Sequence, residues 1–157
     1  VRHVISVLVE NKFGVLARIS GLFSARGFNI DSLAVGETED PSVSRMTITL
    51  NAKDEKILEQ IQKQLHKLID VITVVDLTKK EYFERELVMV KVSLAKKNKA
   101  ELEKIANKYN ADIVHSDKEA AILEAHLDQE KMEKFLSLLG EFGVTFLART
   151  GRIAVPK

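Results

Sequence analysis

The stretch VISVLVENKFGVLARISGLFSARGFNIDSLAVGETEDPSVSRMTITL, residues 4–50, decides the fold. Val4 to Val9 is a nearly continuous apolar run, short enough for a strand buried on both faces or lying at a sheet centre. Asn11-Lys12-Phe13-Gly14 breaks the run. Val15, Leu16, Ile19, Leu22 and Phe23 then recur at three- and four-residue spacings, which predicts an amphipathic helix of about three turns. Gly27 is placed to end that helix in the left-handed conformation. Phe28 to Val35 reads as a second strand. Thr38-Glu39-Asp40-Pro41-Ser42 is dense in turn formers and leads into a third. There Met46, Ile48 and Leu50 alternate with Arg45, Thr47 and Thr49, so one face is expected to be buried and the other polar.

Outward from this core, Asp54 can cap a second helix with buried positions at Leu58, Ile61, Leu65 and Leu68. Val71 to Leu77 closes the unit as a fourth strand. The order then repeats. Leu87 to Leu94 is a strand, and Leu102, Ile105, Ala106 and Tyr109 mark a helix. Ala111 to His115 and Ala121 to Leu127 form a hairpin around Ser116-Asp117-Lys118-Glu119. Met132, Phe135, Leu136 and Leu139 mark a last helix ending near Gly140, and Val144 to Thr150 is the final strand. Each half is βαββαβ. The expected fold is therefore α+β, two tandem ferredoxin-like domains covering residues 1–78 and 79–157, joined at Lys79-Lys80-Glu81. Two helices cover only one face of such a sheet, so the other face or an edge strand must meet water or a partner.

Composition narrows the function classes. The chain has 157 residues with 24 Lys plus Arg, 23 Asp plus Glu and no Cys, which excludes thiolate chemistry and disulfides. The first 78 residues carry 9 basic and 10 acidic groups and the remainder 15 and 13, so on charge grounds neither half reads as a polyanion-binding surface, which counts against nucleic acid as the main partner. RNA-recognition modules share the βαββαβ order but stack bases on aromatics of the central strands. Val4 to Val9 and Ser44 to Leu50 contain none. No apolar run approaches the ~18 residues of a membrane span, and no signal peptide precedes the first strand. A soluble, cytoplasmic protein is expected, with neither nucleic acid nor membrane as partner. Nucleophile-elbow, phosphate-loop and metalloprotease motifs are all absent, and no catalytic residue or metal site of its own is expected. His115 with Asp117 and Glu124 with His126 sit on neighbouring strands, but hairpin register is expected to hold the two histidine rows apart.

The strand-to-helix turn ENKFGVL, residues 10–16, is the candidate site. Free backbone N–H groups at a helix start, aided by the helix dipole, suit a small carboxylate. Gly14 lets a ligand approach the backbone, Asn11 offers a donor and an acceptor, and Asn29 opens the second strand with another amide. Each has a structural reading as well: Asn11 as a turn residue, Gly14 as steric relief, Asn29 as the polar residue after a C-cap glycine. Asp31 and Arg45 read as strand residues on a polar face.

The quoted stretch, with GLFSARGFNIDSL followed by DPSVSRMTI, resembles the ACT domain of the regulatory small subunits of acetolactate synthase. EKILEQIQKQLHKLIDVITVVDLT, ERELVMVKV and FLARTGRIAV are similar to the same family, so the likeness spans nearly the whole chain. The resemblance implies a non-catalytic protein that activates a separate large subunit carrying thiamine diphosphate, magnesium and FAD. It also implies feedback inhibition by a branched-chain amino acid, L-valine first, bound between two ACT domains of a homodimer. In that arrangement Asn11, Lys12, Phe13, Gly14, Val15 and Leu16 come from one protomer, and Asn29 and Ile30 from the other. The alternative is a stand-alone amino-acid-sensing ACT protein that regulates a different enzyme.

Overall fold

A computed structural model describes residues 1–157. The chain forms two compact units, one of residues 1–83 with 152–157 and one of residues 84–151.

In the first unit, β1 (Arg2–Glu10), α1 (Val15–Ala25), β2 (Ile30–Glu37), β3 (Val43–Asn51), α2 (Glu55–Lys67) and β4 (Val71–Asp76) follow one another. The sheet order is β2-β3-β1-β4. β1 is antiparallel to both its neighbours, with Ile5 opposite Ile48 on β3 and Val7 opposite Val74 on β4. Its odd residues Ile5, Val7 and Val9 join Met46, Ile48 and Leu50 against Val15, Ile19 and Phe23 of α1 and Leu58, Ile61 and Leu65 of α2. Its even residues point to the opposite face, where Val4 packs with Leu77 and Ala154. This is why the run is continuous rather than alternating: both faces of β1 are covered.

Three details depart from the sequence expectations. Thr47 and Thr49, expected on a polar face, are buried, and the Thr49 hydroxyl pairs with Ser32 Oγ at 2.5 Å. β4 stops at Asp76, whose carboxylate accepts the Thr78 N–H at 3.0 Å and starts a 3-10 turn over Leu77–Lys79. The chain also has a further strand, β9 (Ile153–Pro156), which the sequence reading did not separate from the second domain. β9 belongs with the first unit, where Lys157 N–H donates to Glu81 O at 2.9 Å and Arg152 N–H to Ser32 Oγ at 3.4 Å. By spatial contacts residues 152–157 group with the first unit, while β9 is hydrogen-bonded to the strand that begins at Tyr82. The Ile153/Val155 alternation was the available signal, but it spans only four residues.

The second unit contains most of β5 (Tyr82–Ser93), then α3 (Lys99–Lys108), β6 (Asp112–Ser116), β7 (Ala120–Leu127), α4 (Gln129–Gly140) and β8 (Val144–Arg149). The order β6-β7-β5-β8 reproduces that of the first sheet, with β9 as a fifth strand paired to β5. Val88, Val90 and Val92 alternate inward and meet Leu102, Ala106, Met132, Phe135 and Leu139 of the helices. Tyr109 and Phe135 add a tilted ring pair at 5.4 Å, a geometry that aromatic quadrupoles favour. α4 continues through Gly140, and the left-handed residue that reverses the chain is Gly143 at φ 95°. The two antiparallel sheets with their helices confirm the α+β, ferredoxin-like reading.

Candidate functional site

The turn between β1 and α1 is shaped by its pairing with the β2–β3 loop. Asn11 N–H donates to Ser42 O at 2.7 Å, and its side-chain amide donates to Pro41 O at 3.0 Å and Glu37 Oε1 at 3.2 Å. The two side-chain contacts lie 26 and 30 residues away in sequence, so Asn11 ties the two segments together while its Oδ1 accepts nothing. Lys12 pairs with Glu10 at 2.9 Å, and that carboxylate raises the Lys12 ammonium above its ordinary pKa. Phe13 is fully exposed, at 103% of its reference area, and Leu16 one turn into the helix is 45% exposed. An open cleft of about 650 Å³ borders Asn11, Lys12 and Phe13.

Gly14 is the N-cap of α1, at φ 78° and ψ −6°. A Cβ there would sit 2.9 Å from Arg18 Nη1, the movable end of a long side chain, so it is the left-handed backbone rather than lack of space that disfavours a side chain here. α1 has no capping side chain and no acidic residue in its first turn. α2, α3 and α4 are capped by Asp54, Asn98 and Asp128. The first intrahelical bond of α1 is Arg18 N–H to Gly14 O, so the N–H groups of Val15, Leu16 and Ala17 precede the helical ladder at its positive end. Val15 contributes only its backbone, since its side chain is buried in the core.

Behind the turn, Arg18 Nε donates to Asp70 Oδ2 at 3.1 Å and its Nη2 pairs with the same oxygen. Asp70 is 7% exposed, and its carbonyl accepts the Glu10 N–H at 2.8 Å. This pair holds the far side of the turn. The sequence reading missed it, because the only local hint was an arginine one helical turn after the glycine.

Asn29 and Ile30 lie elsewhere in the same chain. Leu50 pairs with both His3 and Ile30, while Ser44 pairs with both Val9 and Glu37. Ile30 therefore stands level with the start of β1, and Glu37 level with its end, where Asn11 follows. At ~3.3 Å per residue that separation is at least about 20 Å. One chain brings together Asn11 to Leu16 but not Asn29 or Ile30. Arg45 Nη1 donates to Ser6 Oγ at 2.7 Å, and Asp31 faces Arg2 at 4.0 Å, both strand-face contacts. The histidine rows are also apart: His115 is opposite Ile122 and Glu124 opposite Asp112, and no cluster of three metal-ligating side chains exists.

Comparison with known proteins agrees with this architecture. Residues 5–73 match the family described as AHAS small subunit-like ACT domain, and residues 85–157 match that described as small subunit of acetolactate synthase. A probable acetolactate synthase small subunit of Archaeoglobus fulgidus is 44% identical over 98% of this chain and 96% of its own length. The acetolactate synthase small subunit of Haemophilus influenzae is 41% identical over 99% and 96%. The crystal structure of the small subunit from Thermotoga maritima superposes with a TM-score of 0.88 at 36% identity, covering 100% of this chain and 98% of that one. An ACT-type first domain, a second domain matched on its own terms and full-length identity above 40% together place this chain in the acetolactate synthase small-subunit family.

Proposed function

We propose that the chain is a non-catalytic regulatory subunit that activates an acetolactate synthase large subunit and makes it sensitive to L-valine. The large subunit would carry the thiamine diphosphate, magnesium and FAD, and this chain none. The observation behind the reading is the uncapped start of α1, preceded by a glycine in the left-handed conformation and flanked by Asn11. An α-amino acid fits that chemistry. Its carboxylate takes the N–H groups at residues 15–17, its ammonium takes Asn11 Oδ1, and its isopropyl group covers Phe13 or Leu16.

The second half of the site comes from symmetry. β2 is an edge strand bonded only to β3. A two-fold axis that sets two β2 edges antiparallel brings the Ile30 end of one against the Glu37 end of the other, beside Asn11. Asn29 and Ile30 of one protomer then complete the turn of its partner. An effector held between protomers has different affinities for different interface geometries, which is what allosteric control requires.

A complementation experiment tests this. Asn11→Ala and Asn29→Ala chains should each lose L-valine binding in calorimetry while remaining dimeric. Refolded together in equal amounts, they should regain about a quarter of the wild-type sites, because half the dimers are mixed and each mixed dimer has one intact site. No recovery from well-folded mixed dimers would refute a shared site. Retention of a large subunit on the immobilised chain, with activation of its acetolactate synthesis, tests the partner.

A further inference from the structure

The second unit has a basic cleft that the effector reading does not use. It encloses about 510 Å³, within the range of small-molecule sites, and Arg85, Lys108, Lys131 and Lys134 line it with His126 and a single carboxylate, Asp128. Four permanent cations around one depression stand out in a chain whose charges nearly cancel, 24 against 23. Three of the four have no carboxylate partner. Arg85 Nη1 donates to the Glu84 carbonyl at 2.6 Å, Lys108 lies 5.6 Å over the Tyr109 ring, and Lys131 makes no ion pair. Only Lys134 is paired, with Glu130 at 2.8 Å. Asp128 is committed to capping α4, where it accepts the Lys131 N–H at 2.9 Å.

One of these cations, Lys131, is placed against the dipole of its own helix. Lys131 sits in the first turn of α4, at the positive end of the helix dipole, where acidic residues such as its neighbour Glu130 are favoured, whereas Lys134 lies a turn further on and is offset by Glu130. Like charges converging on one cleft add repulsion that an empty site leaves uncompensated. A bound polyanion removes both penalties. Asn110, the one non-glycine residue at positive φ (54°), ends α3 at the same cleft and offers a side-chain amide beside the lysines.

We propose that this cleft binds a small molecule bearing two adjacent phosphate groups, held by Arg85, Lys108 and Lys131. Adjacent phosphates match the charge, and a ligand of that size fits the volume. A long nucleic acid would need basic surface beyond the cleft, which the near-neutral chain lacks.

The test uses the full-length chain, with pyrophosphate and a nucleoside diphosphate titrated at constant ionic strength against sodium chloride. Saturable binding of one anion per chain is expected, with amide shifts centred on Asn110 and residues 128–131. Lys108→Gln with Lys131→Gln should weaken it at least tenfold. Arg85→Gln, on a different element, should weaken it independently, and Lys56→Gln in the first unit should leave it unchanged. Tighter binding of the nucleoside diphosphate would assign the ligand to nucleotides, and equal or weaker binding to the free anion. A response no larger than that to chloride, or wild-type affinity in the folded double variant, overturns the proposal. Retention of an acidic polypeptide without pyrophosphate binding would also overturn it, making the cleft a protein contact.

Discussion

Gly14→Ala is the sharpest perturbation, because its cost can be worked from the turn and checked against Gly21→Ala on the same helix. At φ 78° an L-residue meets the left-handed penalty of about 1–2 kcal/mol. The new Cβ would also sit 2.9 Å from Arg18 Nη1, so the guanidinium must give way and its pair with Asp70 loosens. That pair is half open to water, Arg18 being 49% exposed, so its share is at most about 1 kcal/mol. The total is about 1–3 kcal/mol, a midpoint about 3–10 °C lower for a chain of this size. Gly21 lies inside α1 with nothing within 4 Å of an added Cβ. Alanine there should stabilise by about 0.5–1 kcal/mol through helix propensity. Differential scanning calorimetry of the two single variants reads both signs. Equal stability of Gly14→Ala and wild type, or a loss in Gly21→Ala as large as that in Gly14→Ala, would refute the reasoning. L-valine should raise the midpoint of Gly21→Ala as in wild type but not that of Gly14→Ala.

Other outcomes follow from the same contacts. Asp70→Asn removes the charge behind the turn and should cost about 1 kcal/mol in urea unfolding, with looser amide exchange at residues 12–18. Phe135→Ala empties a fully buried ring site and should cost about 3–5 kcal/mol, read by denaturant titration. Deleting residues 152–157 uncovers Val4 and Leu77, and hydrogen exchange should rise along β1 first. Asp117 is held below its ordinary 3.8 by the N–H groups of Ala120 and Glu119, and Asp40 likewise by the Ser42 hydroxyl and N–H. A depressed carboxyl contributes stability that is complete above the unfolded pKa and lost as pH falls through the folded one. Asp40→Asn and Asp117→Asn should therefore flatten the stability profile below pH ~4 and leave its slope near neutrality unchanged.

Much of this protein could be read from local pattern. The three- and four-residue spacing from Val15 to Phe23 placed α1, and the alternation of Met46, Ile48 and Leu50 placed β3, because periods of 3.6 and 2 are properties of a few consecutive residues. Gly14 and Asn11 stood out for the same reason: a break between a strand and a helix is visible without knowing what surrounds it. Short or capped ends were harder. β9 has only four residues, and the end of β4 is set by an Asp76–Thr78 bond that competes with strand continuation.

The amino-acid order alone was enough for the element sequence, the duplicated βαββαβ plan and the turn that carries the candidate site. Tertiary structure decided which distant residues serve that turn. Asp70 reaches Arg18 from 52 residues away, Pro41 and Glu37 hold Asn11, and the residues flanking β9 return across 120 residues to Ser32 and 76 to Glu81. It also set Asn29 at the opposite end of the sheet from Asn11. Strand register fixes such distances, and register is a property of paired strands that no single segment contains.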